Sequence, residues 1–217
     1  MSQKAVIFDL DGTLIDSLED LANSVNQTLS EFGFNTHEIN AYKHFIGDGV
    51  KILLKRATNE ETDEETIEKL HQRFKVIYKK EIDSKTKVYE GIYELLENLE
   101  KINYPKAILS NKPHNFTLDC MDNFFSNYSF VNISGQKDTI AKKPDAQAAL
   151  LIAKQLNKDV RDIYFVGDTK IDMQTAKNAG MKAIGVLWGF RDEKELKDNG
   201  ADFIVSNTDE LYNILLS

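Results

Sequence analysis

The chain has few of the devices that stabilise a protein from outside its own core or send it into a membrane. Cys120 is the single cysteine in 217 residues, so no intrachain disulfide can form. The thiol has no recognisable nucleophile context, and a small buried hydrophobe is its expected role. Positive charge is in short supply: 27 Lys and Arg stand against 35 Asp and Glu, a formal net charge of −8. Broad nucleic-acid binding needs many cations to neutralise phosphates and is disfavoured, although a few local cations suffice for a small phosphorylated molecule. No apolar run approaches the roughly 18 residues of a membrane span, and Asp9 interrupts the apolar stretch that a signal peptide would need. A cytoplasmic protein with no membrane contact and no nucleic-acid partner is expected. Neither repeats nor low-complexity linkers divide the sequence.

What is there is organised around the stretch from Ala5 to Leu14. Ala5-Val6-Ile7-Phe8 reads as a buried strand, stopping at two carboxylates, Asp9 and Asp11, before Gly12 turns the chain. In an extended backbone residues i and i+2 project to one side, so the two carboxylates can face one small volume. Anions that close repel unless a cation or a shared proton intervenes. An all-oxygen donor set suits Mg²⁺, which commonly takes one or two carboxylates together with substrate phosphate. A solvated turn would use the same residue types.

Helical spacing follows. Leu18, Leu21, Ala22, Val25, Leu29 and Phe32 share one face, as do Val50, Leu53, Leu54 and Ala57, and again Ile67, Leu70, Phe74 and Ile77. Asp63, Glu64 and Glu65 favour the start of the third of these helices. Gly47-Asp48-Gly49 marks a turn between the first two. Residues 16–85 are therefore expected to form a helical domain inserted into an α/β core made of 1–15 and 86–217.

From Val88 onward strands and helices alternate. Tyr104–Leu109, Phe130–Ile133, Ile163–Val166, Ala183–Leu187 and Phe203–Val205 read as strands, and a helix after Lys143-Pro144 is expected to bury Ala146, Ala149, Leu150 and Ala153. This alternation predicts a doubly wound, mostly parallel sheet covered on both faces, with ligands beyond the carboxyl ends of its strands. Polar groups stand there three times: Asp9 with Asp11, Ser110 with Asn111, and Asp168.

Asp-Leu-Asp-Gly-Thr at 9–13, Ser110, Lys143 before Pro144, and Gly167-Asp168 with Asp172 resemble the four motifs of the haloacid dehalogenase superfamily of phosphohydrolases, in order and along the whole chain. The insert resembles the helical cap of the subgroup that carries it after the first motif. Asp16-Ser17, Gly47–Gly49, Asn111-Lys112-Pro113, Asp172-Met173 and Trp188-Gly189 are similar to phosphoglycolate phosphatase-like members. The resemblance implies a magnesium-dependent phosphoric monoester hydrolase, a monomer or homodimer, acting on a small phosphate ester with 2-phosphoglycolate as first candidate. Related inorganic pyrophosphatases, sugar-phosphate phosphatases and phosphomutases share much of the pattern. A phospho-acceptor signalling module is the alternative of another class.

The chemistry assigns roles to these residues. Asp9 is the expected nucleophile, forming an aspartyl-phosphate, and Asp11 the acid and base. Asp9, Asp168 and the backbone carbonyl of Asp11 are expected on the metal, with Asp172 either a ligand or one step removed. Lys143, Ser110, Asn111 and the Gly12-Thr13 turn are the expected phosphoryl ligands. By resemblance, the loop of Gly47, Asp48 and Gly49 sorts substrates, with Lys51 or Arg56 as the candidate partner of a substrate carboxylate. Each residue also has an ordinary use as a turn, cap or surface charge. Trp188 is expected to pack, and the four histidines show no metal-ligand spacing.

Overall fold

The computed structural model describes residues 4–59 and 61–217. In chain order its elements are β1 (Ala5–Phe8), β2 (Ile15–Asp16), α1 (Leu18–Glu31), α2 (Tyr42–Phe45), α3 (Val50–Thr58), α4 (Glu64–Glu81), β3 (Lys87–Val88), α5 (Ile92–Lys101), β4 (Lys106–Pro113), α6 (His114–Phe125), β5 (Asn132–Gln136), α7 (Gln147–Leu156), β6 (Ile163–Gly167), α8 (Lys170–Ala179), β7 (Lys182–Val186), α9 (Glu193–Asp198), β8 (Phe203–Val205) and α10 (Thr208–Leu216). They fall into two compact units, one running up to Ile15 and from Val88 to Ser217, the other Asp16–Lys87.

The larger unit is built on a parallel sheet in the order β5-β4-β1-β6-β7-β8. Parallel neighbours must be joined by crossovers whose helices cover the sheet faces, which is why its central strands are apolar without alternation. All four residues of β1 are buried. Ala5, Ile7, Ala107, Leu109, Ile163 and Phe165 meet Ala149, Ile152 and Ala153 of α7 and Met173 and Ala176 of α8 in one cluster. The chain runs from β1 outward through β4 to β5, then returns to the other side of β1 as β6. Strand order reverses between β1 and β6, and a crevice opens at such a point beyond the carboxyl ends. Phe8 pairs with Ile108 on one side and Val166 on the other, so Asp9, Ser110 and Asp168 leave the sheet at nearly one level.

The strands depart from the sequence expectation in informative places. β4 continues past Leu109 through Ser110, Asn111, Lys112 and Pro113, with an irregularity in its pairing to β5. Those polar side chains find buried partners, so polarity does not end the strand. β5 begins at Asn132, two residues later than expected, and Val131 is exposed. Leu150 is also exposed, against expectation: α7 starts at Gln147 and turns Ala148, Ala149, Ile152, Ala153 and Leu156 inward. Cys120 is buried and in no disulfide, and Trp188 donates its ring N–H to the Thr13 carbonyl at 2.9 Å.

The smaller unit is helical. Apolar residues of α1 (Leu21, Val25, Leu29) and α4 (Leu70, Phe74, Ile77) are buried where these helices pack together. Asp63 caps α4, its carboxylate accepting from the Thr66 N–H and hydroxyl at 2.8 Å each, which satisfies an orphan donor of the first turn. His37 is a structural residue: its N–H donates to Asn26 Oδ1, Asn26 Nδ2 donates to its carbonyl, and its ring packs edge-on against Tyr42 and Phe45. At the neck, the buried carboxylate of Asp20 accepts from the Ser84 hydroxyl (3.0 Å), the Lys85 N–H (3.0 Å), the Thr86 N–H (2.8 Å) and the Thr86 hydroxyl (2.6 Å). Among the described residues no helix is long and apolar enough to cross a membrane.

Candidate active site

Asp9 follows the last residue of β1, its N–H donating to the Val166 carbonyl of β6 at 2.9 Å. That bond aims the side chain at the crevice. From the far side comes Lys143, nearly fully buried, whose Nζ lies 2.8 Å from Asp9 Oδ1 and 2.7 Å from Asp172 Oδ1. The approach to Asp172 is an aligned hydrogen bond. The approach to Asp9 is an ion pair with poorer alignment, so one ammonium is shared between two buried carboxylates.

Each partner is held by its own backbone. Asn111 and Lys143 bond reciprocally, Lys143 N–H to Asn111 Oδ1 at 2.9 Å and Asn111 Nδ2 to the Lys143 carbonyl at 3.1 Å. Asp172 starts α8 as half of a capping box, its Oδ2 accepting from the N–H and hydroxyl of Thr169. Asp168 accepts from the Thr13 hydroxyl at 3.2 Å and the Phe190 N–H at 2.8 Å. Gly12, at φ +86°, passes so near that a Cβ there would stand 2.3 Å from Asp168 Oδ2, and a Cβ on Gly189 would meet Asp168 Cβ at 2.3 Å. Only hydrogen at both positions leaves room for this carboxylate.

Burial pushes the Asp9 carboxyl up to about 7, Lys143 pulling against that and Asp172 and Asp11 adding repulsion. Burial also raises Asp168 well above the usual carboxylate range, and Asp172 and Asp9 reinforce it. Burial alone would lower Lys143, yet Asp172 and Asp9 outweigh it and hold the ammonium above the ordinary lysine range. Asp9, Asp11, Asp168 and Asp172 face Lys143 and Lys112, with Arg191 also acting on Asp168, so the carboxylates outnumber the cations. Asp9, Asp168 and Asp172 each offer an oxygen, all within 4.8 Å of one another. An all-oxygen donor set, a lysine shared between two buried carboxylates and an excess of negative charge fit a hard dication.

Asp9, Asp11, Ser110, Asn111, Lys143, Asp168 and Asp172 are therefore gathered at one sheet edge from four segments. The expected phosphoryl donors of the Gly12-Thr13 turn need correction. The Gly12 N–H bonds the Ile15 carbonyl at 2.8 Å and the Thr13 N–H the Leu10 carbonyl at 3.2 Å, because a turn this tight closes on itself. In the helical unit, Arg56 donates to Asp48 Oδ2 at 2.6 Å and to the Phe45 carbonyl at 2.9 Å, bracing the loop that holds Gly47 and Gly49. Lys51 Nζ stands 2.6 Å from Glu68 on the surface. Sequence reasoning missed Lys112, whose buried Nζ is 2.9 Å from Asp11 Oδ1. Its signals were its place in the Asn111-Lys112-Pro113 segment and, once β4 is seen to run on to Pro113, its position two residues beyond Ser110 on the same side of the strand.

A doubly wound parallel sheet whose central strand ends in paired carboxylates, faced by a buried lysine and a second acidic pair, is the build of a carboxylate-centred phosphohydrolase. Residues 6–186 match the haloacid dehalogenase-like hydrolase family, and the chain belongs to it. It is 32% identical to the phosphoglycolate phosphatase of Chromobacterium violaceum over 98% of this chain and 96% of that protein. It is 31% identical to the phosphoglycolate phosphatase of Pseudomonas putida over 94% and 76%. A crystal structure from Lactobacillus delbrueckii subsp. bulgaricus, itself given the phosphoglycolate phosphatase name by inference, matches with a TM-score of 0.91 at 28% identity, covering 99% of each chain. The resemblance read from the motifs is borne out, and the chain is a phosphoric monoester hydrolase.

Proposed function

We propose that the chain hydrolyses a small phosphate monoester through an aspartyl-phosphate on Asp9 with Mg²⁺ as cofactor, and that 2-phosphoglycolate is the first substrate to test. The observation that carries this reading is the buried cluster of Asp9, Asp168 and Asp172, whose oxygens converge and in which Lys143 is shared between Asp9 and Asp172. Asp9 and Asp168, with the main-chain carbonyl of Asp11, would hold the ion. Asp172, engaged by Lys143 and Thr169, sets the ammonium. When bound, the ion supplies Lewis-acid neutralisation of charge on the phosphoryl oxygens.

Phosphate-monoester hydrolysis is among the slowest uncatalysed reactions, with enzymatic accelerations up to ~10²¹, whereas acid–base assistance contributes typically about 10²–10⁴. Positioning, charge compensation and a covalent detour must supply the rest. Lys143 and the Ser110 hydroxyl orient the phosphoryl group. The Asp9 carboxylate forms the new O–P bond as the ester P–O bond breaks, and the Asp11 carboxyl gives its proton to the departing oxygen. Asp11, now a carboxylate, takes a proton from the water that attacks phosphorus. The Asp9–phosphorus bond breaks, releasing phosphate and restoring both residues to their starting forms. The helical unit, with its Gly47–Gly49 loop, is assigned the choice of leaving group.

The test is a panel of phosphate esters and pyrophosphate assayed with and without Mg²⁺, comparing kcat/KM, with acid-quench trapping of phosphoenzyme. The reading expects Mg²⁺-dependent turnover of 2-phosphoglycolate and a trapped adduct lost in Asp9→Asn. A metal-independent rate, or wild-type turnover in Asp9→Asn, overturns it.

A further inference from the structure

Lys112 belongs to none of the groups that hold phosphorus, metal or nucleophile in the scheme above, yet its ammonium is buried. Burying that charge is costly unless a partner compensates it, so its partner tells what the lysine is for. The partner is Asp11, whose Oδ1 lies 2.9 Å from Lys112 Nζ across 101 residues of sequence.

The local structure makes the contact specific. β4 runs on to Pro113 instead of stopping at Ser110, so side chains alternate across its last residues. Asn111 turns to the main chain of Lys143, and Lys112 goes the other way, to Asp11. The Lys112 N–H donates to Ser110 Oγ at 3.1 Å, and its carbonyl accepts from the Thr117 hydroxyl at 3.2 Å. The lysine is thus fixed at both ends of its peptide unit before its side chain reaches Asp11. Lys143 balances Asp9 and Asp172, and Lys112 balances Asp11, each ammonium being assigned to its own carboxylates.

We propose that Lys112 is a positioning residue for Asp11: it aims the carboxyl at the leaving oxygen and balances the carboxylate that remains once the proton has gone. This rests on the assignment of Asp11 as the acid in the proposed reaction and adds to it a dedicated partner. An interaction that strengthens as Asp11 gains negative charge lowers the barrier to leaving-group departure without tightening substrate binding. Its value therefore depends on how much the leaving group needs a proton.

That dependence separates this role from a purely structural one. An alkyl phosphate departs as an alkoxide and needs the proton, whereas p-nitrophenyl phosphate departs as a stable phenolate and does not. Because kcat/KM reports steps up to the first irreversible one, it isolates departure of the leaving group from the later attack of water. Lys112→Met and Lys112→Gln are to be compared with wild type on 2-phosphoglycolate, or the alkyl phosphate that wild type turns over fastest, and on p-nitrophenyl phosphate. The expected result is an alkyl kcat/KM lower by about 10- to 100-fold, the scale of a misplaced catalytic group, with p-nitrophenyl phosphate changed less than about threefold and Lys112→Arg recovering part of the alkyl rate. Equal loss on both substrates, or no loss on either, overturns the proposal. Lys112→Gln keeps a hydrogen-bond donor near Asp11 and serves as the folded comparison if Lys112→Met does not fold. Asp11→Asn run beside them separates the two levels: an unchanged alkyl rate there removes Asp11 as acid, while a lost rate there with Lys112 variants at wild-type level removes only the partner.

Discussion

Buried acids occur in both units of this protein, and they are satisfied in opposite ways. Asp20, in the helical unit, accepts hydrogen bonds from Ser84, Lys85 and Thr86. Its charge is spread over neutral donors and it has a stable, finished environment. Asp9 and Asp168, in the α/β unit, are surrounded by other carboxylates and by a lysine that cannot serve them all. Burial of a carboxylate is thus not in itself a sign of chemistry. Incomplete compensation is: a carboxylate left short of positive charge is kept for something that arrives later.

The sharpest break in that contrast comes from removing one carboxylate of each kind. Asp9→Asn is expected to cost at least about 10³-fold in turnover while leaving the metal-free protein as stable as wild type or more so, since a repelled buried charge is gone. Activity assays beside thermal melts in chelator read both. Asp20→Ala is expected to do the reverse, costing about 2–4 kcal/mol by leaving several donors unsatisfied, seen as a lower denaturant midpoint, with the folded fraction still active. If Asp9→Asn destabilised as Asp20→Ala does, the distinction between the two sites would collapse.

Proton and metal linkage give a second test. The folded values of Asp9 and Asp168 lie above that of an unfolded aspartate, 3.8, so between that value and about 7 the folded chain holds more protons than the unfolded one. Stability without metal is therefore fully present below the unfolded value and lost as pH rises through the folded one. Melting temperature in chelator should fall from pH 4 to pH 7, and added Mg²⁺ should restore it increasingly over the same window. A melt that rises with pH in chelator would contradict the charge imbalance.

Gly12→Ala is the next smaller change, costing about 1–3 kcal/mol for a strained left-handed residue and weakening metal-dependent activity, because the new Cβ would displace Asp168. Isothermal titration with Mg²⁺ reads that displacement directly. Lys51→Glu is smallest. Its pair with Glu68 is exposed, with side chains 56% and 45% accessible, so stability should shift by less than about 1 kcal/mol. Any larger kinetic change confined to particular esters would give Lys51 a part in choosing the leaving group.

The candidate site at the sheet edge was largely legible in the sequence because its signals are local. An apolar run ending in Asp, or in Ser-Asn, or in Gly-Asp marks a strand and its functional tip within a few residues, and alternation with helices says that the tips share an edge. What could not be read depends on partners far away in the chain. Lys112 fell beyond the expected end of the strand at Leu109, since nothing near it shows that β4 continues and that Asp11 lies within reach. Asn111 has amide groups suited to phosphate, but they meet the Lys143 main chain. Asp20 resembled any acid in the first turn of a helix, and its donors lie more than sixty positions downstream. Leu150 was misplaced because Ala148, Ile152 and Leu156 give α7 a second apolar stripe beside Ala149 and Ala153, and the buried face lies on that side.

The position of β1 in the sheet bears on how the protein is made. Strand β1 is flanked by β4 on one side and β6 on the other, so its second edge stays open until residue 166 has been synthesised. The helical insert has all its clamp partners once Thr86 has emerged, some eighty positions earlier. During translation the apolar ribbon Ala5 to Phe8 is therefore without any sheet neighbour until β4 is made, and half-open from then until β6 is made. The strand that leads into Asp9 therefore gains from shielding against other nascent chains until residue 166 has been made.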